Sequence, residues 1–293
     1  MRRYPHAEKI LKKALESWKL IDKAETDTLE GDYLTIMNIL GSLYDEVGRF
    51  SKAEKFYLDV LHIYVNREEN NPNMYRRQTA MVLNNLGTLY FKIGKLDEST
   101  RALKKALGIR ENIAIGNKEM NDADVAQSLH NLGVLYDIKN DNLKAREYYM
   151  NALKMRKTLS RENVDRYSSE YASTLAKLGS TYVRSKEYEK AEGCFIEALN
   201  EYRMLADKYP LSYTKDVIST LNGLGIMYRQ NSRYQDAEKV FIEAVEKSKQ
   251  MLLWLDAAAA TNNLSIILSC DKALDNSRKL LELSILFFGR KKI

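Results

Sequence analysis

Asparagine recurs along this chain in places that folding alone does not require. Its side chain both donates and accepts, so a row of asparagines can grip the amides of an extended peptide without reading its side chains. It is also a mediocre helix former. Yet Asn38, Asn84, Asn85, Asn131, Asn222 and Asn262 recur on one face of what read as helices, together with His130, Lys177, Arg184 and Arg229. These ten are the candidate peptide- or partner-binding residues. A second reading stays open, in which the asparagines form a ladder bonding one helix to the next. Charge is uneven along the face, with Asp45 and Glu46 at one end and Lys177, Arg184 and Arg229 towards the other. The fourth and fifth copies of the pattern are therefore expected to favour acidic groups of a partner, with ordinary solvated side chains as the plain alternative.

Residues that could catalyse or hold a metal do not assemble. His6, His62 and His130 show no metal-ligand spacing, and there is no His-Glu-x-x-His. Gly94-Lys95 lacks both the glycine five residues earlier and the strand of a phosphate loop. No Gly-x-Ser-x-Gly elbow occurs. Cys194 and Cys270 give no disulfide framework, and Cys194 reads as a packed small hydrophobe rather than a nucleophile. Asn263-Leu264-Ser265 matches a glycosylation pattern but falls within a predicted helix. No catalysis, cofactor or metal is expected.

The elements that must carry the asparagine face are helices. The 293 residues include 3 Pro and 13 Gly, against about 15 prolines at the usual ~5%. So few breakers argue for mostly helix and against barrels or sandwiches. At 45% hydrophobic and 29% charged, the chain can fold around a core. The net charge of +6 is spread along the chain with both signs mixed, which describes a solvated surface more than a nucleic-acid stripe. No stretch is long and apolar enough to span a membrane. The start carries no signal-peptide core, and a reducing cytoplasm is the expected location.

The helices are organised by a repeat. Leu-Gly-x-x-Tyr occurs with its glycine at Gly41, Gly87, Gly133, Gly179 and Gly225, each step 46 residues, and a degenerate copy follows at Leu264-Ser265. Twelve residues after each glycine stands a small residue: Ala53, Ser99, Ala145, Ala191, Ala237 and, in the last copy, Ser277. Four further on stands a large apolar one, Tyr57, Leu103, Tyr149, Phe195, Phe241 or Leu281. The apolar residues of each half follow helical spacing. Tight corners are expected at Gly48-Arg49-Phe50, Gly94-Lys95-Leu96, Asn140-Asp141-Asn142 and Glu187-Tyr188, because Gly or Asn tolerates the left-handed conformation that ends a helix.

Leu-Gly-x-x-Tyr followed by Ala-x-x-x-Phe-x-x-Ala resembles the tetratricopeptide repeat (TPR), whose usual period is about 34. The extra 12 residues amount to about six per helix, roughly 1.5 turns each. The long repeat is similar to those of kinesin light chain, and more so to tandem repeats of bacterial and archaeal TPR proteins. The resemblance implies an all-α, superhelical solenoid of antiparallel helix pairs, about 13 helices in all, with the asparagine face lining a concave groove. It also implies a non-catalytic protein-interaction scaffold or adaptor that binds an extended peptide or a partner helix in that groove. Alternatives are a nucleic-acid-associated helical-repeat protein, or a peptide-sensing regulatory subunit of a prokaryotic signalling system. Nucleic acid is not the expected partner, since the face holds a single aromatic, Phe91, for base stacking.

One solenoid over 1–293 is expected. It comprises a half repeat over 1–30, full repeats over 31–76, 77–122, 123–168, 169–214 and 215–256, and a degenerate pair over 257–293. The connections at 66–77, 116–123, 159–168 and 206–215 read as short loops or as helical extensions. The apolar end, with Phe287 and Phe288, is expected either to dock on a second copy or a partner, giving a homodimer in the former case, or to fold back and bury both its sides.

Overall fold

Gly41, Gly87, Gly179 and Gly225 each leave a notch in their helix, and a large residue sixteen positions later fills it. In the computed structural model, which describes residues 3–18, 26–68, 72–113 and 118–270, a Cβ on Gly41 would lie 2.6 Å from the Tyr57 ring. On Gly87 it would lie 2.5 Å from Leu103, and on Gly225 2.6 Å from Phe241. The two helices of a repeat therefore meet closely only where the first has no side chain. Ala53, Ala106, Ala191, Ala198, Ala237 and Ala244 are buried on the second helix, and their size lets the backbones approach. Ser99 takes the same place in its repeat, and its buried hydroxyl donates to the Gly87 carbonyl at 2.8 Å.

Among the described residues the chain forms twelve helices and no strand. The first helices of the repeats (A helices) are α2 (Thr26–Glu46), α4 (Pro72–Lys92), α6 (Lys118–Ile138), α8 (Val164–Arg184), α10 (Pro210–Gln230) and α12 (Trp254–Cys270). The B helices are α1 (Arg3–Trp18), α3 (Phe50–Glu68), α5 (Leu96–Glu111), α7 (Asn142–Glu162), α9 (Tyr188–Lys208) and α11 (Tyr234–Gln250). The first described helix, α1, carries Ala7 and Leu11 one period of 46 before Ala53 and Tyr57, the register of a B helix. The extra residues of the long period are helical. Asn163 alone separates α7 from α8, and Tyr209 alone separates α9 from α10. Asn163 caps α8, its side chain accepting from the Arg166 amide. Ser277, Leu281 and the apolar end with Phe287 and Phe288 lie outside the described residues.

Two compact units form, Met1–Lys144 and Ala145–Ile293. In the first, each helix from α1 to α6 packs on the next, and the A helices α2, α4 and α6 touch in a row. In the second, α8 to α12 stack the same way, with α10 in contact with both α8 and α12. Both are layers of antiparallel helix pairs with the repeat positions in the core. Burying a side chain such as Leu40, Leu89 or Phe241 contributes about 1.5–3 kcal/mol each.

Schellman-type corners join A to B. The Arg49 amide donates to the Tyr44 carbonyl at 2.8 Å, and Arg233 to Tyr228 at 2.8 Å. The left-handed residue is Gly48, Gly94 or Asn140, as the sequence predicts, but Lys186 and Ser232 hold φ of 59° and 58° at the equivalent places, while Leu252, with φ of 55°, turns the chain from the B helix α11 into the A helix α12. The fourth corner therefore turns on Lys186, one residue before Glu187-Tyr188.

The corner aims the next side chain at the preceding B helix. Arg49 and Tyr44 both donate to the Glu8 carboxylate, at 3.1 and 2.9 Å. Arg233 and Tyr228 both donate to Glu192, each at 2.7 Å. Lys95 bonds Glu54 at 3.0 Å. These clasps tie Tyr44 and Tyr228 to the B helix of the preceding repeat. In the fourth repeat the polarity is reversed, with Arg146 on the B helix donating to Glu187 at the corner. A second tie is buried. Arg110 Nη1 donates to the Asp124 carbonyl and the Ser128 hydroxyl at 2.7 Å each. Arg156, one period later, does the same to Glu170 and Thr174. Burial pushes the Arg156 guanidinium down to about 10, still cationic at neutral pH.

Candidate functional site

Three and two residues before the repeat glycine, the A helices carry the asparagines. In the first unit these bond one another. Asn85 Nδ2 donates to Asn38 Oδ1 at 3.2 Å, and Asn131 Nδ2 to Asn84 Oδ1 at 2.9 Å. Both links span 47 residues, one period plus one, so each runs from one A helix to the next. Asn38, Asn84 and Asn131 are buried, and Gln127 supports the row by donating to Asn131 Oδ1 at 2.9 Å. This is the ladder arrangement, and it gives the asparagines a task in holding the row of A helices together. Lys92 bonds Asp45 at 2.7 Å on the same row. His130 is half-buried and engaged with neighbours.

In the second unit the ladder is interrupted between α8 and α10. The two positions that would pair are Ala176 and Gly223, which have no amide to exchange. Nor could Gly223 be replaced freely, because a Cβ there would lie 2.9 Å from the Phe195 ring. The result is a cavity of about 280 Å³. Ser173, Ala176, Lys177 and Ser180 line it from α8, Asp216, Ser219, Thr220 and Gly223 from α10, and Phe195 and Tyr202 from α9. Phe195 and Tyr202 are buried, Asp216 is half-buried, and Lys177 and Ser219 are exposed.

The electrostatics of this cleft are unlike those of the ladder. Lys177 and Asp216 form no ion pair with each other or with any other described residue. Burial raises the Asp216 carboxyl above its ordinary range, opposed by Lys215. Burial also raises the Tyr202 phenol, with Asp216 adding to the effect. The Thr220 hydroxyl donates to the Asp216 carbonyl at 2.8 Å, and the Ser180 hydroxyl to the Ala176 carbonyl at 3.0 Å.

The remaining predicted residues sit on α8, α10 and α12. Arg184 is exposed and donates to Thr181 Oγ1 at 3.2 Å. Arg229 is half-buried, without an ion pair among the described residues. Asn222 is half-buried, and its buried Oδ1 has no hydrogen-bond partner among the described residues; Asn262 is exposed. Sequence reasoning placed Lys177 on the face but missed Asp216 and Tyr202. The signal available for the cleft was the loss of both asparagines in one step of the row.

Elsewhere the chemistry is quiet. Among the described residues no group of three His, Cys, Asp or Glu could hold a metal ion, and no helix is long and apolar enough to cross a membrane. Cys194 is half-buried, and burial pushes its thiol up to about 11, so it stays protonated at neutral pH.

Comparison with known proteins agrees with this architecture. Residues 37–70, 78–158 and 217–252 match models described as tetratricopeptide repeat. No curated protein matches the chain. Among solved structures, BtubC (BKLC) from P. vanneervenii is 20% identical with a TM-score of 0.68, covering 85% of this chain and 92% of that one. The signal transduction ATPase with numerous domains from Pyrococcus horikoshii, PH0952, which has a tetratricopeptide repeat sensor, is 17% identical with a TM-score of 0.68. That match covers 90% of this chain and 37% of the ATPase. TPR-like repeats of a putative kinesin light chain from Podosopora anserina are 13% identical with a TM-score of 0.58, covering 78% of this chain and 98% of theirs. At these identities the likeness is one of fold.

Proposed function

The chain is a member of the tetratricopeptide repeat family, and from that premise we propose that it binds an extended, acidic segment of a partner protein along the A-helix face of its second unit. Repeats of this family form protein-interaction or regulatory modules. The finer reading is carried by one observation. Among the described residues, Lys177 and Arg229 on the A helices lie in no ion pair. Cations left without a counter-ion beside a cleft supply steering and selectivity for an anionic partner. The A-helix face of the first unit, whose asparagines are spent on each other and whose Lys92 is paired with Asp45, offers less.

Selection from a random peptide display library on the full chain tests the reading. Acid-rich peptides are expected to be enriched. Their affinity should fall roughly tenfold or more for Lys177→Glu combined with Arg184→Glu, with the circular dichroism spectrum unchanged. Selected peptides without acidic bias, or affinity that survives the double reversal, would overturn it.

A further inference from the structure

The cavity between α8 and α10 has a feature that an acidic segment does not use. A cation, Lys177, and a carboxylate, Asp216, line the same cavity from opposite helices, and neither is ion-paired among the described residues. An anionic ligand would satisfy Lys177 and be repelled by Asp216. A cationic ligand would do the reverse. A neutral ligand would leave the half-buried Asp216 carboxylate uncompensated, at a cost that already shows in its raised pKa. The class that satisfies both groups at once carries an ammonium and a carboxylate.

Size narrows the class. A water occupies ~30 Å³ of liquid, so about 280 Å³ has room for a molecule of roughly nine non-hydrogen atoms. That is below the ~300–1,000 Å³ of sites for drug-sized ligands, and it suits a single amino acid. Hydroxyls and apolar surface are both present. Ser219 is exposed with its hydroxyl uncommitted, while Phe195 and Tyr202 present buried rings. The cavity exists because Ala176 and Gly223 replace a ladder pair and Phe195 occupies the notch at Gly223.

We propose that this cavity binds one free α-amino acid as its zwitterion, with the ammonium on Asp216, the carboxylate on Lys177 and Ser219, and the side chain against Phe195 and Tyr202. The site goes beyond the partner-binding reading. Because Lys177 belongs to both, a bound amino acid and an acidic segment compete for it, so occupancy of the cavity regulates the face beside it.

The test is calorimetric titration of the full chain with L-valine, L-leucine, L-threonine, L-methionine and L-asparagine, each beside its N-acetyl and its amide form. At least one free amino acid should bind. Its N-acetyl and amide forms should each bind roughly tenfold or more weakly, the scale of a lost charge-assisted hydrogen bond. Lys177→Gln and Asp216→Asn should each weaken the free amino acid by a similar factor. Both variants preserve side-chain size, and circular dichroism checks their folding. No binding by any of the five, equal binding of the capped forms, or undiminished binding by both variants would each overturn the proposal. Acidic display peptides capped at both ends keep the two readings apart. If they bind while the amino acids do not, the partner reading stands and this one falls.

Discussion

Replacing Gly225 by alanine should destabilise the protein, while the same change at Gly193 should stabilise it. Both glycines lie inside helices, and in both alanine gains about 1 kcal/mol of helix propensity. They differ in what the new methyl meets. At Gly193 nothing lies within 4 Å. At Gly225 the methyl would stand 2.6 Å from two atoms of the Phe241 ring, against the 3.4 Å at which ordinary contact begins. The ring would have to retreat by about 0.8 Å. It cannot retreat into solvent, because Phe241 is fully buried. Overpacking of this kind costs about 1–3 kcal/mol, and the propensity gain is common to both variants. The two should therefore differ by about 1–3 kcal/mol, with Gly225→Ala below the wild type and Gly193→Ala above it. Urea unfolding followed by far-ultraviolet circular dichroism measures this, with the slope compared between variants to detect any change in cooperativity. Equal gains from both changes would refute the claim that close approach at the notch selects the repeat glycine.

Three further outcomes are expected. A double-mutant cycle on Asn84→Ala and Asn131→Ala, read by urea unfolding, should give a coupling of about 0.5–1.5 kcal/mol for the buried ladder bond, and zero coupling would deny the link. Asp216→Asn should raise stability at neutral pH. The folded-state pKa of Asp216 is raised above an unfolded value near ~3.9, so the wild type loses stability as pH rises through that window. The advantage of the variant should vanish in thermal melts below that pH, and an advantage that persists there would have another cause. Arg146→Glu should lower the melting temperature, and adding Glu187→Arg should restore it by giving the fourth clasp the polarity of Glu192 and Arg233; a double variant no better than the single one would show that the pair does not couple.

The repeat made the fold legible because its signal is steric and periodic. Gly41, Gly87 and Gly225 announce close approaches, and the large residue sixteen positions later names what approaches. Gly48, Gly94 and Asn140 mark their own corners. Lys186 and Ser232 do not, since nothing in a lysine or serine favours a positive φ, and only the period locates them. The clasps were hidden for a different reason. They join residues 41 apart, such as Glu8 with Arg49 and Arg146 with Glu187, and the reversed sign in the fourth breaks any simple pattern of residue type.

The candidate site was legible only in part. A helical projection centred on the glycine finds Lys177 and the asparagines, but it gives no means to choose between a ladder and a clamp, which depends on the distance between neighbouring helices. It also stops short of Asp216, nine residues before Gly225, which reaches the cavity because the helices of this long repeat extend beyond the usual length. The cavity itself is marked by what is missing at Ala176 and Gly223. An absence of side chains carries no chemical signature until the flanking helices are seen to leave the space unfilled.

The central claim is that partners dock on the A-helix face of the second unit, and site-specific photo-crosslinking in the host cell tests it most directly. A photoreactive residue would be placed in turn at Ser219 on α10, at Ile39 on α2 and at Ile242 on the B helix α11, all of them exposed positions. The account predicts protein adducts from Ser219 that disappear when Lys177→Glu and Arg184→Glu are added. Adducts from Ile39 or Ile242 alone, or adducts at Ser219 indifferent to the charge reversal, would contradict it.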